Sequence, residues 1–115
     1  MDMLRRSGEC PITYVVELLS RKWTPMVIYY LMEGRLRFSE LQSFIRDISP
    51  KMLSDTLDHL IRHGMVVRLV EDGKPPRVYY SLTEKGRDFS RVLREMEEWA
   101  IKWGVNKSIK MKRDK

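Results

Sequence analysis

Lys51, Ser54, Asp55 and His59 recur along one side of the stretch Ser49-Pro50-Lys51-Met52-Leu53-Ser54-Asp55-Thr56-Leu57-Asp58-His59-Leu60-Ile61-Arg62-His63-Gly64. Their donors and acceptors are of the kinds that pair with base edges in a DNA major groove, which is wide enough to admit one helix. His59 and His63 stand four positions apart, a spacing that can hold zinc on one helical face. The residue after His59 is Leu60, where a zinc protease needs glutamate, and no third ligand is evident, so no metal is expected. Cys10 is the single cysteine. At the start of a helical stretch, with Arg5 and Arg6 near in sequence, it has the setting of a reactive thiolate, although cysteine is equally a common small buried residue. One thiol excludes an internal disulfide, so any disulfide joins two chains or takes a small thiol. The sequence holds no phosphate loop, nucleophile elbow or dinucleotide fingerprint, so neither an enzyme nor a cofactor is expected.

These residues need an element to carry them. Ser49 can cap a helix, Pro50 suits its first position, and Gly64 suits the left-handed turn beyond its end. Between them Leu53, Leu57, Leu60 and Ile61 follow helical spacing, so one face is buried and the polar face carries Lys51, Ser54, Asp55, Asp58, His59 and Arg62. Periodicity alone reports burial, and such a face is commonly just solvated. The neighbouring segments carry more information. A compact helix is predicted from about Ser39 to Arg46, burying Leu41, Phe44 and Ile45, and Asp47-Ile48 links it tightly to the next. That is helix-turn-helix spacing.

Upstream, a short helix from Pro11 shows Val15, Val16, Leu18 and Leu19. A second begins near Thr24-Pro25 with Trp23, Val27 and Leu31 in register, and ends before Gly34. Arg35-Leu36-Arg37-Phe38 is a connection that has room for a short edge strand near Leu36. Downstream, Met65–Val70 and Arg77–Leu82 read as strands around an Asp72-Gly73 turn and Pro75-Pro76. The resulting hairpin has Gly73, Lys74 and Arg77 at its tip. Thr83 caps a last helix from about Glu84 to Trp103, in which Phe89, Met96 and Trp103 recur every seven residues beside Val92 and Trp99. A helix of ~20 residues is ~30 Å long, about a domain's diameter. Two tryptophans at its far end therefore imply a partner, and a second copy of the chain is expected there. The aromatics Trp23, Tyr29, Tyr30, Tyr79, Trp99 and Trp103 are assigned to core and dimer packing, with room for a small-molecule effector between helices.

The chain of 115 residues carries a net charge of +6, which favours polyanionic partners. Much of that charge lies in the tail 105–115, where Lys107, Lys110, Lys112, Arg113 and Lys115 meet only Asp114. The stretch Pro50–His63 is itself neutral, as suits a base reader whose electrostatic grip comes from flanking cations such as Arg35, Arg37, Lys74 and Arg77. No apolar run approaches the ~20 residues that span a bilayer, and the first residues lack a signal peptide's apolar region. A cytoplasmic protein without a membrane partner is expected.

Cys10-Pro11, Lys22-Trp23, Arg37-Phe38-Ser39-Glu40-Leu41, Ile48-Ser49-Pro50-Lys51-Met52-Leu53, Leu57, Leu60, Gly64-Met65-Val66-Val67-Arg68, Val78-Tyr79-Tyr80-Ser81-Leu82-Thr83-Glu84-Lys85-Gly86 and Trp99 form one ordered set. Taken together, they resemble the HxlR-type, MarR-like family from Cys10 to Trp103. The resemblance implies a homodimeric winged helix-turn-helix transcriptional regulator, with Ser49–His63 as recognition helix and the N- and C-terminal helices forming the dimer. It also implies electrophile or oxidant sensing for some members, through a cysteine at the position of Cys10. This chain has Ser20-Arg21 where many members carry a glycine pair, and its basic tail lies outside the family pattern.

The expected fold is mainly α with a small β-hairpin wing (α+β). Residues 1–9 form an arm, 10–104 the winged domain and 105–115 a basic tail. Double-stranded DNA is the expected partner of a homodimeric repressor, with DNA contacts at Arg35, Arg37, Ser49, Pro50, Lys51, Ser54, Asp55, His59, Lys74 and Arg77. Phe89, Val92, Met96, Trp99 and Trp103 form the expected dimer interface, and Cys10 is the candidate redox sensor. The alternative from another class is a winged-helix protein-interaction module without specific DNA binding.

Overall fold

Local signals set the element that positions the site. Ser49 is extended, and its hydroxyl accepts from Met52 N at 3.1 Å, capping α4 (Pro50–Arg62) with a proline in its first turn. Such a cap contributes about 1 kcal/mol. Gly64 takes the left-handed conformation (φ +73°) that releases the chain from the helix. The computed structural model describes residues 10–104, so the expected arm 1–9 and basic tail 105–115 lie outside the described residues.

Before α4 run α1 (Pro11–Leu18), α2 (Thr24–Leu31) and α3 (Phe38–Phe44). After it come β1 (Val66–Glu71), β2 (Arg77–Leu82) and α5 (Glu84–Trp103). This is the expected α+β winged helix-turn-helix arrangement. The core joins Leu18, Val27, Ile28, Leu41, Leu53, Leu57 and Leu60 to Met65, Leu82 and Leu93, so every helix contributes to one cluster. Full burial of a leucine side chain is worth about 1.5–3 kcal/mol against leaving it in water.

α3 ends sooner than expected. Ile45 is already extended, and Asp47 takes a positive φ of 70°, which a short polar side chain tolerates. The early end turns Leu41 and Ile45 inward and leaves Phe44, expected in the core, outside. There it stacks on Tyr30 with ring centroids 5.5 Å apart. Val16 and Ile61 likewise lie exposed, because α1 and α4 each bury a narrower stripe than their apolar residues would fill.

The hairpin is antiparallel, pairing Val66 with Leu82 at its buried base and Glu71 with Arg77 at its tip end. Leu36 adds a single bridge to the free edge of β2, exchanging backbone hydrogen bonds with Tyr80 of 3.0 and 2.8 Å. The strand expected near Leu36 is thus one residue pair long. α5 begins where Thr83 accepts from Gly86 N at 3.1 Å and donates to Gly64 O. A Cβ on Gly86 would collide with the Met65 carbonyl oxygen, so this helix start can approach the turn before β1 only with glycine there.

Candidate nucleic-acid interface

α3, the Asp47 turn and α4 form the helix-turn-helix, and α4 is the helix whose first turns stand free. Ser49, Pro50, Lys51 and Ser54 are exposed there. Lys51 Nζ lies 3.0 Å from Asp55 Oδ2, one turn on, with the lysine side chain 85% exposed. An ion pair so open to water holds its partners weakly, and either group can exchange it for a ligand.

His59 departs from expectation. It is 7% exposed, and its Nε2 lies 2.9 Å from the main-chain oxygen of Leu18. It does not share the outward face with Lys51 and Ser54. His59 there meets the main-chain oxygen of Leu18 at the end of α1, and Thr56 is buried on the same helix, whereas a pattern read along one helix can assign polar residues only to solvent. The His59 and His63 rings meet edge to face at 4.5 Å. Burial, His59 and Lys85 together hold the His63 pKa below its ordinary value, with burial the largest cause. Lys85 Nζ is itself occupied, donating to Tyr14 Oη (2.5 Å) and to His63 O (2.7 Å). Among the described residues no cluster of three metal-ligating side chains forms around the pair.

The wing brings together three of the predicted cations. Arg37, Lys74 and Arg77 line one concavity of about 490 Å³ at the hairpin tip, with Glu71 and Asp72 in the same wall. Arg37 is placed at the start of α3, where its backbone N–H donates to Glu40 Oε1 at 2.8 Å. Arg35, predicted to act beside it, is engaged elsewhere. Its guanidinium sits 4.0 Å over the Tyr79 ring, and one of its nitrogens lies 2.8 Å from Glu71 Oε2. Tyr79 and Glu71 are not among the expected site residues. The antiparallel register, which sets Glu71 opposite Arg77 and brings Tyr79 onto the wing near it, is the signal that would have found them.

On α5 the seven-residue seam divides. Phe89 is half-buried against the core, while Val92, Met96, Trp99 and Trp103 lie along an open groove, with Trp99 66% and Trp103 59% exposed. α1 adds Ile12 and Val16 to the exposed apolar surface, and Cys10 lies exposed immediately before it.

Residues 18–108 match the model of the HxlR-like helix-turn-helix family. The chain belongs to this family. The HxlR-like chain is 39% identical over 92 residues to the HTH-type transcriptional regulator YodB of Bacillus subtilis, covering 79% of this chain and 82% of YodB. It is 35% identical over 101 residues to YvaP of the same organism, an uncharacterized HTH-type transcriptional regulator, covering 87% and 94% of the two chains. Among solved structures, the redox regulator HypR in its reduced form superposes with a TM-score of 0.79 at 30% identity, covering 90% of this chain and 99% of HypR. Reduced YodB superposes with a TM-score of 0.74 at 38% identity, covering 82% and 93%. YodB has also been solved diamide-treated and quinone-bound. This chain is a DNA-binding transcriptional regulator of the HxlR type with a winged-helix fold, and no helix among its described residues is long and apolar enough to cross a membrane.

Proposed function

We propose that the chain acts in the cytoplasm as a homodimeric repressor, with α4 in the major groove of a two-fold operator and the wing on the adjoining backbone. The observation that carries this reading is the juxtaposition of an exposed, Ser49-capped helix start with a concavity lined by Arg37, Lys74 and Arg77. Lys51 and Ser54 face base edges, Asp55 orients Lys51, and the Ser49 hydroxyl with the Lys51 backbone N–H grips a phosphate. The three cations of the concavity supply phosphate contacts that place the helix without reading sequence. Arg35 and His59 are left out of the contact set because both are committed within the fold. The exposed α5 groove and the apolar side of α1 supply the dimer surface through Val92, Met96, Trp99 and Trp103, with Phe89 bracing the seam from behind. Cys10 is the proposed sensor, supported by its exposure and by the likeness to HypR, a redox regulator.

A salt series on specific and scrambled duplexes tests the assignment. Lys51→Ala and Ser54→Ala should relax sequence preference, each good bidentate base contact being worth about 1–3 kcal/mol of discrimination. Lys74→Ala and Arg77→Ala should weaken all duplexes alike and lower the slope of log K against log salt by ~0.9 for each phosphate no longer neutralised. Half-sites should lie about 10 bp apart, or a multiple of that. Wing variants that change preference while α4 variants change only the slope would reverse the roles. If neither set alters binding, the protein-interaction module becomes the better reading.

A further inference from the structure

We infer that Arg35 is the positioning residue of the wing: seated on Tyr79 and paired with Glu71, it holds the hairpin so that Lys74 and Arg77 come beside Arg37. The inference rests on the proposed DNA contacts of that concavity and says how they are placed. The hairpin is anchored at its base, where Val66 and Leu82 are buried, and at Tyr80, which packs against the core and is bridged by Leu36. Two strands alone are a marginal structure in water. From the base the ladder runs outward to Glu71 and Arg77, where β1 and β2 leave the core.

Arg35 reaches this outer part from the helix side. Its neighbour Leu36 is locked to Tyr80 by two backbone hydrogen bonds, so the start of its side chain is fixed against β2. From there one guanidinium touches both strands, through the Tyr79 ring of β2 and the Glu71 carboxylate of β1. An exposed ion pair alone holds little. Here the backbone bridge sets the approach and the ring limits the guanidinium's freedom, so the pair adds to an arrangement already formed.

Charge points the same way. Glu71 lies in the concavity of the three cations and opposite Arg77 in the ladder, where, unpaired, it would compete with a phosphate. Arg35 takes that carboxylate and leaves Arg37 and Arg77 to the ligand. A phosphate bound by Arg35 itself would have to displace Glu71 and turn a free carboxylate toward the DNA.

The test is a cycle of salt series on the full chain. Arg35→Gln should lower the salt slope in the native background and leave it unchanged in Lys74→Gln/Arg77→Gln, where the wing cations are already gone. Tyr79→Leu changes no charge and should show the same pattern, while Arg35→Lys should restore little, because a flexible ammonium lacks the planar stacking surface. A direct phosphate contact predicts the opposite. Arg35→Gln would then lower the slope by ~0.9 in both backgrounds, Arg35→Lys would bind like the native chain, and Tyr79→Leu would be silent, and that result overturns the inference. A second arm needs no DNA. Amide hydrogen exchange at Leu69 and Glu71, whose N–H groups face β2, should speed by about ten-fold in Arg35→Gln and Tyr79→Leu, with Leu57 and Leu60 unchanged. If the native chain binds no DNA, the DNA reading fails and the exchange arm alone decides; unchanged exchange at the wing overturns the positioning role.

Discussion

His59 Nε2 and the carbonyl oxygen of Leu18 stand 2.9 Å apart across 41 residues of sequence, so the helix proposed to read bases is tied to the end of α1 by a buried imidazole. Replacing His59 by leucine should leave that carbonyl without its donor, at a cost of about 1–3 kcal/mol in urea unfolding. His59→Gln, which keeps a donor, should lose less. Neither variant should alter which DNA sequence is preferred. A changed preference with stability intact would return His59 to the groove.

The same corner predicts a pH dependence. Burial, with His59 and Lys85 nearby, holds the His63 pKa below 6.5, so the folded chain binds this proton more weakly than the unfolded chain does. The contribution to stability is therefore complete above about pH 6.5 and is lost as the pH falls through the lowered folded value. Thermal melting followed from pH 7.5 down to pH 5 should show Tm falling more steeply in the native chain than in His63→Gln. Parallel pH profiles would mean that His63 titrates alike in both states.

Trp99 and Trp103 are exposed in the single chain, so replacing both by alanine should change the monomer's own stability little. The loss should appear in association. Removing a buried tryptophan costs about 3–5 kcal/mol. Sedimentation at micromolar concentration should therefore give a dimer for the native chain and a monomer for Trp99→Ala/Trp103→Ala. A native chain that sediments only as monomer would remove the seam from the interface.

Cys10 is the single thiol, so oxidation can join only two chains or one chain and a small thiol. Diamide should shift DNA affinity in the native protein and leave Cys10→Ser unaffected. Non-reducing gels should show whether the product is a covalent dimer. Equal binding before and after treatment would remove Cys10 as the sensor.

Local chemistry made much of this protein legible without a structure. Ser49, Pro50 and Gly64 mark the ends of α4 within a turn of where they act, and Thr83 does the same for α5, whose bounds Glu84–Trp103 match the expected ones. The β-branched runs around Asp72-Gly73 likewise place the hairpin, because backbone preference and turn geometry are settled by near neighbours. Three features had no local signal. Phe44 lies outside, stacked on Tyr30 of α2, His59 lies inside against the Leu18 carbonyl, and Arg35 belongs to the wing because Tyr79 and Glu71 fold back onto it. Each depends on contacts between segments far apart in the chain. A helical pattern shows which residues share a face, and only the packing of distant elements decides whether that face meets water, another helix or a strand.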